Sequence, residues 1–67
     1  MNISARNHLS GTIVEIKNGI ITSEVVMDVG GNTLAAVITK DSVDGMGLKE
    51  GDNVSAVIKS TSVMIMK

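Results

Sequence analysis

Thr33-Leu34-Ala35-Ala36-Val37-Ile38-Thr39-Lys40-Asp41-Ser42-Val43-Asp44-Gly45-Met46-Gly47 changes its rhythm in the middle. Its first half alternates at period two, with Leu34, Ala36 and Ile38 on one face, as a half-buried strand does. From Thr39 onward the pattern suits a single helical turn, capped by the side chain of Thr39 or Asp41 and running through Ser42, Val43 and Met46. Gly45 and Gly47 are expected to keep that turn short.

Strand signals flank this stretch on both sides. Downstream, Leu48-Lys49-Glu50-Gly51-Asp52 reads as a polar turn that launches a strand from Asn53 to Lys59. There Val54, Ala56 and Ile58 alternate with Ser55, Val57 and Lys59. Ser60-Thr61-Ser62 breaks the run, and Val63–Met66 is expected to close the chain as a fifth strand. Upstream, Gly30-Gly31-Asn32 is a turn whose glycines supply positive φ. Before it a strand from Ile20 to Val29 sets Val25, Met27 and Val29 against Glu24, Val26 and Asp28. Asn18-Gly19 predicts a type I′ hairpin turn. The first strand runs from Leu9 to Lys17, and Ile13, Val14 and Ile16 put apolar groups on both of its faces. Asn2-Ile3-Ser4 is a short strand or an arm leading into the polar loop Ala5–His8.

Five short strands with one helical turn between the third and fourth predict an all-β fold. The expected form is a small five-stranded Greek-key barrel of the OB type. Residues 1–67 make one domain at most. The chain is 43% hydrophobic with no Phe, Tyr or Trp, and its mean hydropathy is +0.31. Its core must come from Val, Ile, Leu, Met and Ala, which bury less area each than aromatic residues. A domain this small ordinarily needs a staple. With no cysteine and one histidine, neither a disulfide nor a zinc cluster is available. Self-association is the staple left. No stretch reads as a signal peptide or a membrane span, so a soluble, cytoplasmic protein is expected.

Charge is segregated along the chain. All seven acids lie between Glu15 and Asp52, where Lys17, Lys40 and Lys49 leave a net −4. Arg6, Lys59 and Lys67 put three positive charges at the ends. Two stretches there stand out: Ser4-Ala5-Arg6-Asn7-His8 and Lys59-Ser60-Thr61-Ser62-Val63. They hold the only arginine and the only histidine among several hydroxyls, and no carboxylate. A small oxyanion offers only acceptors, so its site must be lined by donors of this kind. A net charge of −1, without a basic stripe or aromatic stacking residues, argues against nucleic acid.

Ser4-Ala5-Arg6-Asn7 followed by Leu9 and Gly11, Gly19-Ile20-Ile21-Thr22-Ser23-Glu24-Val25, and Lys59-Ser60-Thr61-Ser62-Val63-Met64 together resemble the molbindins. These are small molybdate-binding Mop domains, and the resemblance spans essentially the whole chain. It implies an OB-like domain assembled as a homohexamer, a trimer of dimers. Molybdate or tungstate would be held as the oxyanion at subunit interfaces, with no direct protein–metal ligand, for storage or homeostasis in the cytoplasm. The family's binding residues carry over to Ser4, Ala5, Arg6 and Asn7 and to Lys59 and Ser60. Gly19 and Ile20 are candidates for backbone contacts in a further class of site. His8 departs from the family's pattern; if it faces the anion it would tune binding with pH.

Physical chemistry supports the assignment. Arg6 and Lys59 can together balance a tetrahedral dianion, one as a planar fork and the other as a point charge. Ser4, Ser60 and Thr61 add hydroxyls, and the amides of Ala5 and Asn7 add backbone N–H groups as anion-binding nests do. Plainer roles exist for several of these groups. Asn7 suits a turn cap, His8 an exposed histidine, Ser60-Thr61-Ser62 an ordinary turn, and the five methionines gap-filling positions. No catalytic Ser/His/Asp set, paired carboxylates or phosphate-binding Gly loop can be assembled, so an enzyme is not expected. The alternative is an anion-sensing module that docks on a partner protein through the same site.

Overall fold

The computed structural model describes residues 4–67. Asn2 and Ile3 of the expected N-terminal strand or arm lie outside the described residues. Four strands follow in order, β1 (Asn7–Asn18), β2 (Thr22–Val29), β3 (Asn32–Thr39) and β4 (Asn53–Ile58), with α1 (Lys40–Met46) between β3 and β4. They form one antiparallel sheet in the order β3-β2-β1-β4.

The long first strand serves two partners. Residues Asn7 to Thr12 pair with β4, and Thr12 to Asn18 pair with β2. At the changeover β1 passes so close to β2 that a Cβ on Gly11 would stand 2.5 Å from the Asp28 carbonyl oxygen and 2.9 Å from Val29 Cγ2. Only glycine permits that approach.

A bulge follows at once. Ile13 is opposite Met27 and Glu15 opposite Val26, so Val14 is the extra residue. A bulge bends its strand and resets the side-chain phase. Ile13 and Ile16, three apart, therefore both join the core while Val14 is half exposed. The apolar groups expected on both faces of this strand belong mostly to a single inward face interrupted by a bulge.

Ile13, Val25, Met27 and Val43 are the buried core, and Ile16, Val29, Leu34, Ile38, Leu48, Val54 and Ala56 pack around them. Ser23, the one buried polar residue among those described, donates from Oγ to Asn18 Oδ1 at 3.2 Å. Helix α1 forms as its cap residue dictates: Thr39 Oγ1 accepts from the Ser42 N–H at 3.0 Å. Lys40 Nζ reaches Asp44 at 2.9 Å one turn on. Gly47 ends the helix in the left-handed conformation, whereas Gly45 sits inside it. The helix thus delivers Val43 to the core.

Two expectations are corrected. Gly30 and Gly31 have φ of 58° and 86°, as a two-residue primed turn demands, but Asn18 and Gly19 have no positive φ. The first hairpin is a wider loop in which the Gly19 N–H donates to the Thr22 carbonyl at 2.9 Å. A Cβ there would lie 2.3 Å from that oxygen, so glycine is needed for space.

The fifth strand does not form either. Ser60–Ser62 is a 3-10 turn, and residues 63–67 carry no ladder. The apolar composition of Val63–Met66 favours a strand only where an edge is presented to it. The described residues form an open four-stranded antiparallel sheet with one helix, not a five-stranded barrel.

Candidate functional site

The antiparallel pairing of β1 with β4 places the start of one beside the end of the other. Asn7 is opposite Ile58. Ser4 and Ala5, just before β1, and Lys59, Ser60 and Thr61, just after β4, line one shallow groove of about 250 Å³. Arg6, Asn7 and His8 line a neighbouring groove of about 370 Å³ with Leu9, Ile58 and Val63. The two donor-rich ends of the sequence converge within a single chain, although 52 positions separate Asn7 from Lys59.

Neither groove contains a carboxylate. The ion pairs among the described residues are those of Lys17 with Glu15 and Glu24 and of Lys40 with Asp44. Arg6 and Lys59 take part in none of these, and both are exposed. Within one chain, though, the two cations line different grooves. The Ser60–Ser62 turn is held by the Ser62 N–H on the Lys59 carbonyl, 2.9 Å, and by the Val63 N–H on the Ser60 carbonyl, 3.3 Å. As at the start of any helical turn, the N–H groups of Ser60 and Thr61 find no acceptor inside it.

His8 acts as a tether, its Nε2 donating to the Ala5 carbonyl at 2.9 Å. That bond ties the Ser4–Arg6 segment back onto β1. It requires a hydrogen on Nε2, which one neutral tautomer and the imidazolium both have.

Gly19 and Ile20 lie at the opposite end of β1. The Gly19 N–H is occupied by Thr22, and Ile20 is 96% exposed. They join neither groove. A third depression was not anticipated from the residues. On the outer face of β1 and β4, Ser10, Gly11 and Thr12 lie against Asn53, Val54 and Ser55 in an open groove of about 490 Å³, where Thr12 Oγ1 donates to Asn53 Oδ1 at 3.2 Å. It offers hydroxyls but no charge. Only the strand register, Ser10 opposite Ser55, could have revealed it.

No three His, Cys, Asp or Glu among the described residues stand close enough to hold a metal ion. The donor set fits an anion instead. Cations, hydroxyls and backbone amides line the grooves, and all are groups that donate to oxide acceptors.

Comparison with known proteins identifies the family of the chain. A family model described as a TOBE domain matches residues 3–65. Molybdenum-pterin-binding proteins 1 and 2 of Clostridium pasteurianum are 54% and 51% identical over 67 residues, covering 98% of each chain. Among solved structures, MopII from Clostridium pasteurianum superposes with a TM-score of 0.91 at 49% identity, covering 98% of this chain and 100% of that one. A molybdate-binding protein from Sporomusa ovata superposes with a TM-score of 0.96 at 43% identity, covering 100% of both chains. The cytoplasmic molybdate-binding protein ModG, solved with molybdate bound, matches at a TM-score of 0.85 and 41% identity, over 90% of this chain and 43% of its own. With its domain matched over residues 3–65 and its nearly full-length likeness to the Mop proteins, the chain belongs to the TOBE-domain family and, within it, to the molbindins.

Proposed function

We propose that this protein binds molybdate or tungstate, as the intact oxyanion, where the Ser4–Asn7 segment meets Lys59–Thr61. The observation that carries the reading is the convergence of two acid-free, donor-rich segments at the end of the β1–β4 ladder. Ser4, Ser60 and Thr61 supply hydroxyls. Ala5 and Asn7 supply amides, Arg6 and Lys59 supply charge, and His8 holds the first segment in place. The anion is bound cargo, and the protein's role is storage or homeostasis, not catalysis.

The groove of one chain is open, and its two cations face different depressions. An exposed dianion in such a groove stays largely hydrated and gains little from its donors. A second chain that covers the groove would exclude that water and bring a second cation to the anion. We therefore read the site as lying between subunits of a homo-oligomer, a hexamer built as a trimer of dimers, working in the cytoplasm. Gly19 and Ile20 belong to this reading only as a second contact, made through the Ile20 amide, since that of Gly19 is taken.

The test is an isothermal titration of molybdate into anion-stripped protein, repeated in excess sulfate. Binding that survives sulfate is the expected result, and its stoichiometry shows whether chains share a site. Absence of heat in both titrations would sink the reading.

A further inference from the structure

Asn18 is followed by Gly19, whereas Asn2, Asn7, Asn32 and Asn53 precede Ile, His, Thr and Val. An asparagine before glycine is chemically labile, because a neighbour without a side chain leaves its amide nitrogen open to the carboxamide. Asn18 ends β1 and is exposed, as are Gly19 and Ile20 beyond it. Two hydrogen bonds bear on the reacting groups. The Gly19 N–H, whose nitrogen would attack, donates to the Thr22 carbonyl at 2.9 Å. The Asn18 carboxamide, which would be attacked, accepts at Oδ1 from Ser23 Oγ at 3.2 Å, across the last rung of the β1–β2 ladder. Ser23 is only 2% exposed. A buried hydroxyl is costly without a partner, and Asn18 is the partner this one has.

We propose that Asn18 is a site of spontaneous deamidation, restrained in the folded chain by the buried Ser23 hydroxyl and the Thr22 carbonyl. In the reaction the Gly19 nitrogen gives up its proton to base and bonds to Asn18 Cγ. The Cγ–Nδ2 bond breaks, and the departing nitrogen takes up a proton and leaves as ammonia. Water then opens the succinimide at either carbonyl, which leaves an aspartyl or isoaspartyl residue at position 18. No oxidant or reductant takes part. Both hydrogen bonds belong to the unreacted geometry: ring closure has to take the Gly19 nitrogen from Thr22 and turn the carboxamide from Ser23. Each therefore stabilises the reactant over the transition state. The product adds a carboxylate two residues before Ile20, and the isoaspartyl form adds a backbone methylene at the last rung of the ladder. The reaction is independent of anion binding, and it takes place at the end of β1 remote from the two donor grooves.

The full chain, Ser23→Ala and Asn18→Gln are incubated in mildly alkaline buffer without oxyanion, beside the full chain unfolded in guanidinium chloride. Intact mass reads the gain of one mass unit, and peptide mapping with isoaspartate detection places it. The unfolded chain should deamidate at Asn18 at least about 10-fold faster than the folded one, because the closed loop reacts through local opening. Ser23→Ala, its folding checked by circular dichroism, should react about 2- to 10-fold faster than the parent, the factor set by one hydrogen bond of ordinary net strength. Asn18→Gln should keep its mass. If Ser23→Ala does not fold, Ser23→Cys, a weaker donor of similar size, takes its place. Equal rates in the folded and unfolded chains overturn the proposal, as does an Asn18 that stays intact when unfolded. So does a Ser23→Ala rate equal to the parent's or below it, the latter meaning that the hydroxyl polarises the carboxamide for attack.

Discussion

Asn7 stands opposite Ile58 in the last rung of the β1–β4 ladder. The residues that precede the one and follow the other therefore emerge side by side, and every candidate donor in the paired grooves owes its position to that rung. A ladder is rigid where short loops are not, so the two segments are presented on a fixed base.

Removing either cation should weaken the anion without unfolding the chain. Arg6→Ala and Lys59→Ala should each lower molybdate affinity by about 10- to 100-fold, the range for losing a charge-assisted hydrogen bond. Ser4→Ala and Ser60→Ala should lose less than about 10-fold. Titration calorimetry reads the affinities, and thermal melting of the anion-free variants should match the parent.

His8→Phe tests the bond from Nε2 to the Ala5 carbonyl. It should loosen residues 4–6, lowering molybdate affinity several-fold while stability falls by under about 1 kcal/mol, because the bond is exposed. Faster amide exchange near Ala5 and Arg6, with unchanged exchange in β2, would mark the effect as local.

Gly11→Ala should be severe for so small a change. Its Cβ would meet the Asp28 carbonyl oxygen at 2.5 Å, and backbone cannot rotate aside as a side chain does. A loss of about 1–3 kcal/mol is expected from overpacking, read as a lowered midpoint in urea. An equally stable variant would mean that β1 and β2 can separate at the changeover.

Thr39→Ala removes the oxygen that accepts from the Ser42 N–H. A lost cap of this kind costs about 0.5–2 kcal/mol. Thr39→Ser should recover most of it. Denaturant midpoints of the three proteins give the comparison.

What could be read from residue order was whatever depends on neighbours along the chain. The period-two faces of Val25, Met27 and Val29 and of Leu34, Ala36 and Ile38 were legible. So were a helix start capped at Thr39 or Asp41, of which the structure uses Thr39, and the positive-φ turn at Gly30-Gly31, because each is a local preference with a local partner. The chemistry of the candidate site was legible for a similar reason: donors without acids at both ends of a chain are visible wherever the ends lie.

Tertiary structure decided the rest. The Val14 bulge, which turns Ile13 and Ile16 to one side, lies where β1 passes from its pairing with β4 to its pairing with β2. Asn18-Gly19 has the composition of a primed turn, yet the close approach of Thr22 sets a wider loop. Val63–Met66 has the composition of a strand, but a strand requires an edge, and its own chain places it in solvent. Composition along the chain determined which residues could donate to an anion. Only the register of β1 on β4, a pairing across 51 positions of sequence, determined that Ser4 and Ala5 would meet Lys59, Ser60 and Thr61.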